Sequence, residues 1–169
     1  MVQAGAMITT TRAPALPIPA TTLAQLRVRD DAGRRPEVSV DEVGGSPLRC
    51  CLRRARAGER VALASYAPLR RWADATGAEP GPYEEVGPVF IHAEPCAGFD
   101  SEELPLLDGR RVFRAYDAAG RIVSGHLVEL TDDHESVLAE VFAGDRRIVL
   151  VHVRAVEFGC FLYEVRCAA

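Results

Sequence analysis

The residues with chemistry to offer are two cysteine–histidine pairs and three arginines set in apolar runs. His152 stands eight positions before Cys160. A thiol becomes a nucleophile at neutral pH only beside a base or a cation that favours its thiolate. His152 and Arg154 are the neighbours in sequence that could serve, so Cys160 and His152 form the candidate catalytic pair. Spacing works against the simplest version. In a tight hairpin turning at Glu157 and Phe158, Cys160 faces Ala155, and His152 lies three residues on, about 10 Å away at roughly 3.4 Å per residue. Only a bulge or a change of sheet at Gly159 would close that gap.

His92 and Cys96, taken with His152 and Cys160, make a two-histidine, two-cysteine set of the kind that holds tetrahedral zinc. Arg49, Arg114 and Arg154 raise a different chemistry. A guanidinium inside an apolar strand must exit to solvent, pair with an acid, or face a ligand. Alternation places Arg114 with Val112 and Tyr116, and Arg154 with His152. If those faces meet, guanidiniums, a phenol and an imidazole line one concavity. Arginine grips carboxylate or phosphate in bidentate fashion, so the expected ligand is an anionic small molecule. Arg49, Arg114, Tyr116 and Arg154 are the candidate binding residues. The competing arrangement is a structural ion pair with Glu85, Asp117, Glu129 or Glu157.

Other signals carry less. His126 reads as a strand-face residue and His134 as a surface residue in the first turn of a helix. Trp72 reads as a packing residue at the edge of the core. Gly44-Gly45 is a turn, because the lysine of a phosphate loop is absent. No serine sits in a nucleophile elbow.

Such residues need a scaffold, and the composition bounds it. The 169 residues correspond to one domain. With 48% hydrophobic and 26% charged residues, the chain is neither disordered nor fibrous. No apolar run approaches the length of a membrane helix, so no membrane partner is expected. The net charge of −4 disfavours nucleic acid as a partner, although all 20 basic residues are arginine. The five cysteines are an odd number. Cys50 and Cys51 are adjacent, and on a strand adjacent side chains point to opposite faces, a poor basis for disulfides. No secretory leader is visible, and a reducing, cytoplasmic location is the expectation.

The elements follow from periodicity. Residues 1–20 lack it and read as a mobile lead, with a single domain over 21–169. A short helix follows, with Thr22 and Gln25 in the spacing of a capping box. Strands are expected at 48–52, 60–67, 88–93, 111–116, 121–130, 147–156 and 160–166. A helical turn at 70–75 closes at Gly77. The long irregular stretch 94–109 is of the kind that often carries function. The main helix is capped by Asp132, carries Val137, Leu138, Val141 and Phe142 as its apolar stripe, and stops at Gly144. The sum is an α+β domain with a mixed, mostly antiparallel sheet and one main flanking helix.

Several blocks resemble a known family. They are Gly44 to Arg53, Gly58-Glu59, Ser65 to Pro68, Gly81 to Phe90, Arg114 to Asp117, His152 to Arg154, and Gly159 to Phe161. Together they resemble the bacterial domain-of-unknown-function 1203 family over residues 21–167. The resemblance implies a small bacterial cytoplasmic protein and brings no established reaction. It also implies that Cys50, Cys51 and Cys96 are features of one branch. Three functions remain open: a pocket for an anion, with Cys160 reactive; a non-catalytic interaction protein whose sheet edge pairs with a second copy to form a homo-oligomer; and a Cys/His zinc protein.

Overall fold

The computed structural model describes residues 13–167. The first twelve residues of the expected lead therefore lie outside the described residues. The rest of the lead is built into the fold. Strand β1 (Ala15–Leu16) pairs with the last strand, and helix α1 (Ala20–Val28) starts directly after it. Pro19, not Thr22, occupies the N-cap of α1, so the capping box is not used.

The remaining elements are β2 (Glu37–Asp41), β3 (Glu59–Tyr66), α2 (Pro68–Thr76), β4 (Gly87–His92), β5 (Arg111–Asp117), β6 (Ile122–Val128), α3 (His134–Gly144), β7 (Ile148–Ala155) and β8 (Phe161–Arg166). They form a five-stranded sheet in the order β1-β8-β7-β5-β6 and a three-stranded sheet in the order β2-β3-β4. Every strand pairing is antiparallel. This is the α+β architecture implied by the sequence, divided into two sheets. Among the described residues no helix is long and apolar enough to cross a membrane.

Alternation gives the large sheet two different faces. Phe113, Ala115, Val151, Val153, Tyr163 and Val165 pack in one cluster with Leu138 and Val141 of α3. Asp133, one residue later than expected, caps α3 by accepting hydrogen bonds from the N–H groups of Glu135 and Ser136. The other face carries Tyr116 and Leu150 against Leu69, Trp72 and Ala73 of α2. Helix α2 is a full nine-residue helix, longer than the single turn expected, with Pro68 in its first turn and Gly77 in the left-handed C-cap conformation. A third cluster joins α1, the three-stranded sheet and Phe161 of β8.

One expected strand does not form. Leu48 makes a bridge to Phe90, after which the chain turns back on itself. The N–H of Leu52 donates to Leu48 O at 2.9 Å, and Leu52 takes a left-handed φ of 53°. An apolar run cannot reveal such a turn, because buried turns and strands share composition. Gly44 is needed beside it. At φ 81°, a Cβ there would lie 2.8 Å from Ala57 N and 2.9 Å from Ala55 O. Gly44→Ala is therefore expected to lose about 2–4 kcal/mol, from the left-handed backbone and the backbone clash together. Chemical denaturation at neutral pH measures the loss.

Candidate functional site

The turn changes where the adjacent cysteines point. On a strand, Cys50 and Cys51 would diverge; on the turn, both sulfurs face the end of β4. Their Sγ atoms are 3.9 Å apart. His92 closes β4 and brings Nδ1 to 3.4 Å from Cys50 Sγ and 3.8 Å from Cys51 Sγ. Cys96 follows on the irregular stretch. The ligand atoms of Cys50, Cys51, His92 and Cys96 all lie within 4.8 Å of one another. Cys50 and Cys51 are buried, while Cys96 is the half-buried to exposed end of the set.

Charged groups brace the cluster. Arg53 makes a two-pronged pair with Glu59, at 2.8 and 2.7 Å, and its Nη2 also lies 3.1 Å from His92 Nε2. Glu59 Oε2 is 3.7 Å from the same ring nitrogen. The hydrogen bonds from Arg53 hold the Glu59 carboxyl down at about 2. The two adjacent thiols share their proton unequally. The hydrogen bond from Cys50 lowers Cys51 to about 6, helped by the Arg53 backbone N–H and the charges of His92 and Arg53. The same contact, with burial, pushes Cys50 up. Cys51 is thus the thiolate of the pair.

The arginine set is placed differently. In the β5–β7 pairing Arg114 faces His152 and Val112 faces Arg154. The two polar faces therefore do converge. Glu85, from the loop before β4, lies between the guanidiniums. Its two oxygens accept from Arg114 Nη1 at 2.9 Å each, and Oε2 lies 2.9 Å from Arg154 Nη1. Tyr116 is buried beside Arg114, and burial raises its hydroxyl pKa. Arg49 stands apart on the 49–53 turn. It is only 2% exposed and donates to the carbonyls of Phe161 and Pro47. Among the described residues, it has no carboxylate ion-pair partner. Burial lowers it to about 10, so it remains a cation at neutral pH.

Cys160 and His152 are not brought together. The Cys160 thiol donates to Phe158 O at 3.6 Å, and Ala155 N–H donates to Cys160 O, as the hairpin spacing implies. The bulge that forms lies at Val153–Arg154 and leaves the sulfur outside the core. His152 is wholly buried, with its ring centroid 4.8 Å from Tyr116 and 5.1 Å from Phe161. Among the described residues neither ring nitrogen has a hydrogen-bond partner, and Glu164 Oε2 lies 3.9 Å from Nε2. The proposed four-residue zinc set is likewise divided: His92 and Cys96 find Cys50 and Cys51, while His152 and Cys160 do not join them. The sequence signal for the actual cluster was an adjacent cysteine pair upstream of a histidine spaced four residues from a cysteine.

Fold and site together define an α+β protein with a cysteine–histidine cluster at the end of its small sheet and an arginine pair on one face of the large one. The sequence profile of the family described as protein of unknown function (DUF1203) matches residues 45–167, most of the chain, and the protein belongs to that family. No curated protein and no solved structure matches it.

Proposed function

We propose that the protein binds one zinc ion through Cys50, Cys51, His92 and Cys96. The observation that carries this reading is the mutual approach of four soft or borderline ligand atoms from three separate segments. Zinc bonds of about 2.3 Å to sulfur and 2.0–2.1 Å to nitrogen give tetrahedral edges of roughly 3.8 Å for S···S and 3.5 Å for S···N. The separations of 3.9, 3.4 and 3.8 Å among Cys50, Cys51 and His92 fit those edges. Three thiolates and one imidazole form a closed set, the pattern of a structural rather than a hydrolytic zinc.

The surrounding groups suit that role. Three thiolates on a divalent ion leave one negative charge, which Arg53 faces. Metal at Nδ1 would place the ring proton on Nε2; Glu59 Oε2, 3.7 Å from that nitrogen, is the carboxylate that would accept it once Arg53 Nη2, 3.1 Å from the same nitrogen, turns away. The low pKa of Cys51 reduces the proton release that binding requires. Zinc would tie the 49–53 turn and the start of the irregular stretch to the end of β4.

The test is elemental analysis of the full chain purified under reducing conditions, together with cobalt substitution. One zinc per chain, and a cobalt spectrum with thiolate charge-transfer and tetrahedral ligand-field bands, are the expected results. Cys160→Ser should leave both unchanged. A protein that purifies without metal and gives no tetrahedral cobalt spectrum overturns the reading.

A further inference from the structure

Arg114 and Arg154 share a single carboxylate, so the clamp keeps one positive charge in excess. The carboxylate pairs with both arginines but comes from the most exposed side chain of the three. The Glu85 side chain is 46% exposed, whereas that of Arg154 is 13% exposed. Glu85 belongs to the loop between the 3-10 turn Gly81–Tyr83 and β4, and its neighbour Val86 is also exposed. Arg154 has a second anchor. Arg154 Nε donates to Gly159 O at 2.8 Å, and both arginines rise from adjacent central strands.

A cleft of about 260 Å³ opens beside this contact, lined by Glu85, Arg154, Cys160, Tyr66, Phe158 and Phe161. It joins one wall of aromatic carbon to one of charge. Cys160 lines the same cleft as Arg154, whose Nε donates to Gly159 O next to it in the chain. The hydrogen bonds Glu85 makes are those that the oxygens of any carboxylate or phosphate would make with the same fork. We propose that Arg114 and Arg154 form an oxyanion subsite, occupied in the resting protein by Glu85, and that a small-molecule carboxylate or phosphate enters the cleft by displacing that side chain. The cleft is small, which suits a compact anion or the anionic end of a longer molecule. Bound there, the ligand covers Cys160. This site is separate from the cysteine–histidine cluster and does not depend on its metal.

The experiment uses the full chain with its metal content measured in every sample. Cys160 alkylation by iodoacetamide is followed by site-resolved mass spectrometry, with inorganic phosphate or acetate added against ionic-strength-matched chloride. Glu85→Gln removes the resident charge at a half-exposed position. It should let phosphate protect Cys160 at concentrations about tenfold lower than in the unaltered protein, the effect of one charge worth about 1.4 kcal/mol. Glu85→Gln combined with Arg154→Met should lose the protection. Protection by acetate as well assigns a carboxylate ligand, and protection by phosphate alone assigns a phosphate; both support the subsite. If neither anion changes the alkylation rate or the melting temperature of Glu85→Gln, the clamp is a structural ion pair and the proposal fails. Should Glu85→Gln not fold by circular dichroism, the same titration of the unaltered protein decides: arginine-clamp protection at higher phosphate supports the subsite, and its absence overturns it.

Discussion

Cys51→Ser is expected to abolish stoichiometric zinc and to lower the melting temperature of the protein by about 10 °C. Ligand binding to the folded state alone stabilises it by RT ln(1 + [L]/Kd), or about 3–4 kcal/mol when free zinc exceeds the dissociation constant 100- to 1,000-fold. In a domain of this size each kcal/mol is worth roughly 2–4 °C. Cys51 is the chosen position because the hydrogen bond from Cys50 favours its thiolate form and it sits on the 49–53 turn that the proposed zinc would hold. Serine is nearly isosteric, so packing loss contributes little. The decisive comparison is with a chelator. EDTA or a stronger zinc chelator should lower the unaltered protein to the melting temperature of Cys51→Ser and leave the variant where it was. Equal melting temperatures for the two proteins with zinc present, or a chelator effect that persists in the variant, would refute the assignment.

Local pattern and distant partners had different visibility in the sequence. Strict alternation in 111–116 and 147–156 was enough to put Arg114 with Tyr116 and Arg154 with His152, and the register shows that the two faces are one. The carboxylate that meets it is Glu85, one of the four acids the sequence offers as ion-pair partners; it lies 29 residues before Arg114 on a loop, and spacing alone cannot choose it over Asp117, Glu129 or Glu157. The same limit hid the cluster. His92 and Cys96 were legible because they are four residues apart. The strand expected at 48–52 points Cys50 and Cys51 to opposite faces, which argues against disulfides and gives no sign of a shared site, and the left-handed Leu52 that turns the chain is a non-glycine residue with no sequence mark. Strand β2 escaped notice for another reason. Its residues are mostly exposed, Val38 and Val40 included, so it joins the sheet by backbone pairing and shows no alternating apolar face.

His152→Phe should remove the part of the acid weakening that this ring causes, so that the variant loses less stability than the unaltered protein as the pH falls from 6.5 to about 5. His152 sits between Tyr116 and Phe161 with both ring nitrogens unbonded. Burial, followed by the charges of Arg154, Arg114 and Arg166, lowers its pKa from 6.5 to about 3. The unfolded chain therefore takes up this proton near pH 6.5, while the folded protein refuses it until about pH 3. Stability is complete above the higher value and declines between the two, by at most about 1.4 kcal/mol per pH unit. Glu164, raised by burial and close to the ring, takes up its proton earlier in the folded state and opposes the loss toward the acid end. The cleanest window is thus the upper part of the range, from pH 6.5 to about 5. Phenylalanine matches the imidazole in shape, adds bulk to an aromatic slot and has no nitrogen to leave unbonded, so the variant should fold. Denaturant titrations of both proteins across that window measure the slopes. The cysteine–histidine cluster is common to both, so its own acid sensitivity cancels in the difference. Parallel slopes would mean that His152 keeps a proton acceptor or donor in solution, and that the inner face of the large sheet is wetter than its packing implies.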